Sequence, residues 1–299
     1  MRVSAVGLCG SDRHWLLEGG IGDAVLDHPL VLGHEFAGVV ASGAHAGQRV
    51  AVDPAVPCGA CDLCTTGFEH LCAAMRFAGH GSTDGGLRTI LPWPEHLVHP
   101  VPETLTDVEA ALAEPLGVAL HAFDLAHVRP GAGAGVFGCG PLGLLLVQLL
   151  RMAGASPIVA TDVLEHRVAA ARAFGATHAV LAGELAPDDS LDVAFEAAGD
   201  SGAVDDAIAS LRPGGRLVLL GIPDDDRTSF RASVARRKGL TLLLSRRMRA
   251  PDLPRALRLA AEGRVDLTPL VSGRFALDDW SDAFAALRQR RGLKVVIEP

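Results

Sequence analysis

The 299-residue sequence predicts an α/β protein of two domains: a doubly wound parallel sheet and an irregular, β-barrel-like domain. Three observations predict it. From about residue 120, short apolar strands alternate with amphipathic helices. The run Gly138-Cys139-Gly140-Pro141-Leu142-Gly143 falls between the first such strand and the helix after it. The first 115 residues are instead rich in Gly, Pro and His, with short β-like runs and weak helical periodicity.

In the first part, Phe36–Ala41 and Gln48–Val52 read as strands. The second part opens with an apolar strand, Gly135–Gly138, and an apolar helix, Leu142–Gly154. Pro157–Asp162 reads as a strand, His166–Phe174 as a helix, and Leu191–Glu196 and Arg216–Gly221 as strands flanking the helix Val204–Leu211. Pro213-Gly214-Gly215 reads as the turn that starts the last of these strands. Strands and helices in this alternation bury a parallel sheet on both faces. The tail returns to short strands, with one amphipathic helix, Trp280–Arg288, and a closing strand, Leu293–Ile297. The expected division is 1–122, 123–261 and 262–299, the last segment returning to the first domain.

Composition narrows the function. Net charge is −8, which disfavours non-specific nucleic-acid binding. The most apolar stretch, Leu142–Leu150, is too short for a membrane span. No targeting segment is read at the start, so the expected location is the cytoplasm. Tyrosine is absent, which excludes a reductase with a Tyr proton donor. Lysine occurs only at 238 and 294; the preference for arginine reads as a base-composition effect.

Four of the six cysteines, Cys58, Cys61, Cys64 and Cys72, lie within fifteen residues. Two-residue gaps let short loops turn four thiolates onto one tetrahedral zinc ion. A disulfide cluster is the rival reading, and nothing else in the chain suggests an oxidising compartment. Four thiolates close the coordination shell, so this zinc is expected to build a lobe, 58–72, and to do no chemistry.

The glycine run fits G-x-G-x-x-G with strand before and helix after, and Asp162 ends the next strand. Gly138 permits a tight turn, Gly140 lets backbone approach a pyrophosphate, and Gly143 lets helix pack on strand. Asp162 is expected to accept from the adenosine ribose hydroxyls and to repel a 2′-phosphate, favouring NAD over NADP. Arg167, five residues on, softens that discrimination. Cys139 reads as a small buried filler.

Cys9, His14, His34, Glu35 and Glu114 remain as candidates for chemistry. Each alone has a bland explanation, and His28, His45, His96, His99, His127 and His178 read as ordinary polar residues. Cys9-Gly10-Ser11-Asp12-Arg13-His14 and Gly33-His34-Glu35 change the odds. A Cys, a His and a carboxylate are the mixed ligand set of a zinc site that keeps one position open.

The segments GLCGSDRHW, PLVLGHEFAG, the cysteine lobe, AEPLGVALHA, VFGCGPLGLL, FEAAG, RPGGRLVLLGIP and GLKVVIEP span the chain. Together they resemble the zinc-dependent medium-chain dehydrogenase/reductase superfamily (the alcohol dehydrogenases), most closely its sorbitol or polyol dehydrogenase branch. The resemblance implies a GroES-like catalytic domain beside the Rossmann domain, and two zinc ions, one catalytic and one structural. It implies that Cys9, His34 and Glu35 bind the catalytic zinc, with Glu114 reaching the metal directly or through its water. Ser11 and His14 match the family's proton relay, Trp15 an aromatic of the substrate pocket, and Arg247 a pocket arginine that contacts substrate hydroxyls. Arg246 and Arg249 make that last register ambiguous. Leu142, Asp162, Arg167 and Leu220-Gly221-Ile222 match cofactor contacts.

The activity so implied is transfer of hydride from a secondary alcohol of a polyol, sugar or cyclitol to NAD, in a homodimer or homotetramer. A threonine 3-dehydrogenase-like or simple diol or alcohol activity is the alternative, and a zinc- and nucleotide-binding protein without turnover is the non-enzymatic one. Met248 stands where the polyol branch often has Tyr, which removes a hydroxyl from the pocket. Only eight residues precede Cys9, so the first strands of the family's barrel are expected to be missing or the start to be late.

Overall fold

Hydrophobic residues placed for burial on both faces make the second part of the chain a parallel sheet. The computed structural model describes residues 1–185 and 189–299. Its chain divides into two units, Met1–Gly117 with Arg247–Pro299, and Val118–Arg246. The return to the first unit therefore begins at Arg247, ahead of the expected 262. The helix Asp252–Ala261 belongs to the first unit because the turn before it is bonded there: Arg249 donates to the Gly67 carbonyl at 3.3 Å and the Ala250 amide to Glu69 at 3.0 Å.

In the second unit the strand order is His178–Leu181, Ile158–Asp162, Ala134–Phe137, Leu191–Glu196, Leu211–Leu219, Thr241–Leu244, all parallel. Numbered in chain order this is 3-2-1-4-5-6, the doubly wound arrangement whose direction reverses beside the first strand. Phe137, Leu191, Ala194, Val204, Ile208, Leu211 and Leu217 form a core where the helix Ser201–Ser210 meets the sheet. Pro213-Gly214-Gly215 is not a turn ahead of a strand. It lies inside the strand Leu211–Leu219, where the register shifts and Gly214 takes a φ of +78°. Leu211 still pairs with Leu191 before the excursion, and Arg216 pairs with Val193 after it, so the strand survives as a bulged one.

The first unit is built on a six-stranded sheet, Val271–Ala276, Lys294–Glu298, Arg2–Gly7, Glu35–Val39, Arg49–Val52, Val98–Pro100. All its pairs are antiparallel except the first. Val3, Val6, Phe36, Val52, Ala78 and Leu91 fill one core cluster. Leu8, Ala283, Phe284, Val295 and Ile297 fill another beneath the helix Trp280–Arg288. A helix that periodicity does not announce, Gly10–Glu18, follows the first strand. Local bonding starts it: the Cys9 amide donates to Asp12 Oδ2 at 2.9 Å, and Gly19 at φ +69° ends it. Among the described residues, no helix is long and apolar enough to cross a membrane.

Gly143 gives the second unit a sharp steric test. A Cβ there would lie 1.9 Å from the Gly138 carbonyl oxygen, so the helix Pro141–Met152 sits on its strand only because the side chain is missing. Gly143→Ala is expected to lower unfolding free energy by about 1–3 kcal/mol, the usual cost of overpacking. Urea unfolding measures it, and an unchanged midpoint would mean that the helix slides freely.

Candidate active site

Two adjacent backbone features bring the mixed donor set together. Cys9 caps the helix Gly10–Glu18, and His34-Glu35 enters the strand that pairs with Arg2–Gly7. One ligand atom from each of Cys9, His34 and Glu35 lies within 4.8 Å of the others, and Glu35 is 1% exposed. Gly7 stands opposite Glu35 in the ladder, where a Cβ would lie closer than contact to the carboxylate.

The surroundings hold this set rigidly. Asp12 is fully buried and accepts from the Cys9 and Gly33 amides, at 2.9 and 3.1 Å. Its Oδ1 stands 3.6 Å from His34 Nδ1, leaving Nε2, beside Ser11 Oγ at 3.4 Å, as the nitrogen free to ligate. Burial opposes charge on the His34 ring, but the Asp12 carboxylate outweighs it and raises His34 well above the ordinary histidine value. Glu114, at the start of the helix Ala113–Ala126, is also buried; desolvation pushes its carboxyl up to about 8, so it is neutral near pH 7.

Two of these groups escape a reading of the sequence. Asp12 reads there only as a member of the run Cys9–His14, with no role of its own. Lys294 reads as a residue at the edge of a terminal strand. In the structure Lys294 is 3% exposed and its Nζ donates to Glu35 Oε1 at 2.6 Å and to the Leu8 carbonyl at 2.9 Å. Glu35 Oε2 lies within ion-pair reach of the same ammonium yet accepts no well-formed hydrogen bond. The available signal was the rarity of lysine: an ammonium retained in an arginine-rich chain marks a place where the planar guanidinium does not fit.

His14, one turn along from Ser11, is 6% exposed and bonds through Nδ1 to Glu18 Oε2 at 2.8 Å. Trp15 is 3% exposed and meets His80 edge-on at 4.8 Å. His80 packs against Phe77 at 6.4 Å, and Phe77 against His34 at 5.6 Å, so Trp15 belongs to a layer of rings that ends on the ligand set. The Arg247 guanidinium lies over Phe77, 4.6 Å from its centroid. Among the three neighbouring arginines, Arg247 is the one with a recorded stack on this layer; Arg249 instead reaches the Gly67 carbonyl. Phe77 and His80 were not singled out in the sequence.

The four lobe cysteines also converge. Their sulfurs stand 3.5 Å (Cys61–Cys64), 3.9 Å (Cys58–Cys64) and 3.9 Å (Cys61–Cys72) apart. A tetrahedron with Zn–S of about 2.3 Å has edges of about 3.8 Å, whereas a disulfide needs about 2.05 Å. The set therefore fits zinc. Amide hydrogen bonds from Ala60 and Cys61 to the sulfur lower the Cys58 thiol to about 6.

In the second unit, Gly138, Asp162, Glu196 and Leu220 gather at the carboxyl end of the sheet, on either side of the reversal in strand order. Gly138 has φ +104° and its amide bonds to the Thr161 carbonyl. A Cβ on Gly140 would find nothing within 4 Å but the Arg167 guanidinium, at 3.7 Å, which leaves the helix N-terminus open to a phosphate. Asp162 accepts from the Cys139 amide at 2.8 Å and the Leu164 amide at 2.9 Å, with Arg167 3.9 Å away. Leu220 and Gly221 bond back to the Glu196 carbonyl, and Ile222 is half exposed. Glu196, given no role of its own in the sequence, is buried and takes the Ala198 and Gly199 amides at 2.7 and 2.6 Å, fixing the loop beside Gly138. Cys139 is the expected filler: burial pushes its thiol up to about 12.

Residues 1–103 match the description "Alcohol dehydrogenase GroES-like domain", and residues 141–262 match "Zinc-binding dehydrogenase". The chain is 33% identical to sorbitol dehydrogenase of Bacillus subtilis, over all of this chain and 89% of that protein. The chain belongs to the zinc-binding alcohol dehydrogenase family. It is 34% identical to D-xylulose reductase A of Aspergillus oryzae, over 99% of this chain and 87% of that one. Among solved structures, L-idonate 5-dehydrogenase of Escherichia coli superposes with a TM-score of 0.93 at 29% identity, covering all of this chain and 90% of that chain. As a member of the zinc-binding dehydrogenases, the chain is an oxidoreductase with an alcohol substrate, and its cofactors are zinc and a nicotinamide dinucleotide.

The two cysteine-containing donor sets differ in what else holds them. Cys64→Ser is expected to remove one zinc per chain and lower the melting temperature sharply, because the lobe has little apolar core. Cys9→Ser is expected to remove the other zinc with a much smaller thermal change, because Lys294 and Asp12 brace that loop. Metal analysis alongside calorimetry checks both. Equal thermal losses would mean that both ions build the fold.

Proposed function

We propose that this dehydrogenase oxidises a secondary alcohol of a polyol, sugar or cyclitol, with Cys9, His34 and Glu35 as ligands of the catalytic zinc. The observation that carries the proposal is the convergence of these three donors, within 4.8 Å of one another, beside Ser11 and Glu114. A zinc ion held there would supply Lewis acidity that makes a substrate hydroxyl easier to deprotonate. Ser11, at 3.4 Å from His34 Nε2, takes that proton. His14, oriented by Glu18, receives it by way of the nicotinamide ribose and releases it towards the exposed end of the helix. Glu114, buried beside this donor set, would reach the metal directly or through its water. Arg247, held over Phe77, donates to the remaining substrate hydroxyls. Gly138, Gly140, Leu142, Gly143, Asp162, Arg167, Leu220, Gly221 and Ile222 hold the dinucleotide, and the Asp162 carboxylate at the strand end supports NAD over NADP.

Met248 favours a second reading, a simple diol or threonine substrate. It is buried, its Sδ packed against Gly117, and it offers no hydroxyl where the polyol branch often has one. The edge strand Thr241–Leu244, with Leu244 81% exposed, supports a homodimer or homotetramer, and a cytoplasmic location completes the proposal.

Initial rates with NAD and with NADP on sorbitol, xylitol, inositols, butanediol and threonine test these readings. Turnover on a polyol with NAD preferred is the expected result, and Ser11→Ala should lower kcat by about 10²–10⁴-fold, the range for a positioned proton-transfer group. Turnover confined to butanediol or threonine would replace the polyol reading with the second one.

A further inference from the structure

The cysteine lobe grows from a short hairpin, Ala55–Val56 paired with Arg76–Phe77, so the strand that closes the lobe also carries Phe77. The turn Arg247–Asp252 lies on this lobe. Arg247 Nη1 faces the His70 carbonyl at 3.5 Å, Arg249 Nη2 donates to the Gly67 carbonyl at 3.3 Å, and the Ala250 amide donates to Glu69 Oε1 at 3.0 Å. The Arg249 amide closes the turn on Asp252 Oδ2 at 2.8 Å. All these contacts lie within the first unit. Arg247 itself has φ +58°, a left-handed conformation that a non-glycine residue keeps only where its surroundings impose it. Gly67, Glu69 and His70 belong to the segment between Cys64 and Cys72, the longest gap between lobe cysteines. Both ends of that segment converge with Cys58 and Cys61 on the place where one zinc ion would close them.

We propose that the cysteine lobe is a positioning element for Arg247, acting mainly through Glu69, so that substrate affinity depends on a lobe that has no contact with the reaction. Glu69 anchors the Ala250 amide and the lobe carbonyls draw in the two arginines. The turn is thereby forced into the strained conformation that lays the Arg247 guanidinium over Phe77, one ring away from His34. The inference rests on the reading that Arg247 contacts substrate hydroxyls. Glu69 is a positioning residue, and the structural zinc acts on substrate binding only through it and its neighbours.

The test compares Glu69→Ala, Glu69→Gln and Arg247→Ala in the zinc-loaded enzyme at saturating NAD, with the best polyol of the panel. Glu69→Ala is expected to raise KM roughly fivefold, the equivalent of one lost hydrogen bond, with kcat and the content of two zinc ions unchanged. Glu69→Gln keeps an acceptor oxygen and should restore KM to near the wild-type value. Arg247→Ala should raise KM at least as much, and adding Glu69→Ala to it should raise KM little further. Hydrogen exchange of the 247–252 amides should be faster in Glu69→Ala than in wild type, a readout independent of turnover. Should Glu69→Ala fail to give soluble protein, Arg249→Ala, which removes the contact to Gly67 and a cation beside Glu69, should shift KM the same way by roughly twofold. An unchanged KM in Arg247→Ala would overturn the reading of Arg247 and the inference with it. A raised KM in Arg247→Ala with an unchanged KM in Glu69→Ala would overturn the inference alone and leave the lobe a purely structural element.

Discussion

The ammonium of Lys294 is the tie on which the catalytic domain depends. Three neighbouring strands meet around it: Lys294–Glu298, which carries it; Arg2–Gly7, which leads to the Leu8 carbonyl; and Glu35–Val39, which begins with the carboxylate it pairs. Removing one member of such a buried pair typically costs about 3–5 kcal/mol, since the other is left as an uncompensated charge. Burial works against the charged lysine, yet the Glu35 charge holds its proton more firmly than in water. The tie also fixes the ligand set from behind. Leu8 precedes Cys9, so one ammonium bridges the approach to one ligand and the carboxylate of another. The last strand of the chain is thus part of the site assembled by its first.

The same interaction closes the charge balance of the pocket. With Cys9 as a thiolate, Asp12, Glu35 and Cys9 would bring three negative charges together, two of them on buried carboxylates. Lys294 cancels one. Burial pushes the Glu114 carboxyl up in the metal-free pocket, against adding a further charge, and an imidazole that ligates a metal would be neutral. Two negative charges remain, which is what a divalent cation neutralises. Asp12 enters this balance from behind the His34 ring. It trades its charge for two backbone amides and the back of the His34 ring, and so sets which nitrogen faces the ion.

Features set by residues close in sequence were legible. The cysteine spacing, the glycine run and the strand Leu191–Glu196 all declare themselves over a few residues, and the strand falls on the expected bounds. Parallel strands covered on both faces read as unbroken apolar runs, so most of the cofactor-binding sheet was visible. The catalytic unit was less so. Its helix Gly10–Glu18 is started by one side chain bonding back to its cap and lacks a periodic apolar face. Its boundary at Arg247 is set by contacts with Gly67 and Glu69 about 180 residues earlier. Lys294 was hidden for the same reason: its partners, Leu8 and Glu35, stand at the other end of the chain.

Lysine usage carries the point further. The only other lysine, Lys238, directs its ammonium at the carbonyls of Ile208, Ala209 and Leu211, at 2.9, 2.8 and 2.8 Å, and at Asp189 Oδ1. Those carbonyls close the helix Ser201–Ser210, whose last turn contains no basic residue of its own. In both places several acceptors converge on one point from different directions. A compact ammonium with three donors satisfies that geometry, and a planar guanidinium would reach past it. Base composition accounts for why the surface cations are arginine. It does not account for the two exceptions, which stand where the arrangement of acceptors leaves room for nothing broader than a point charge.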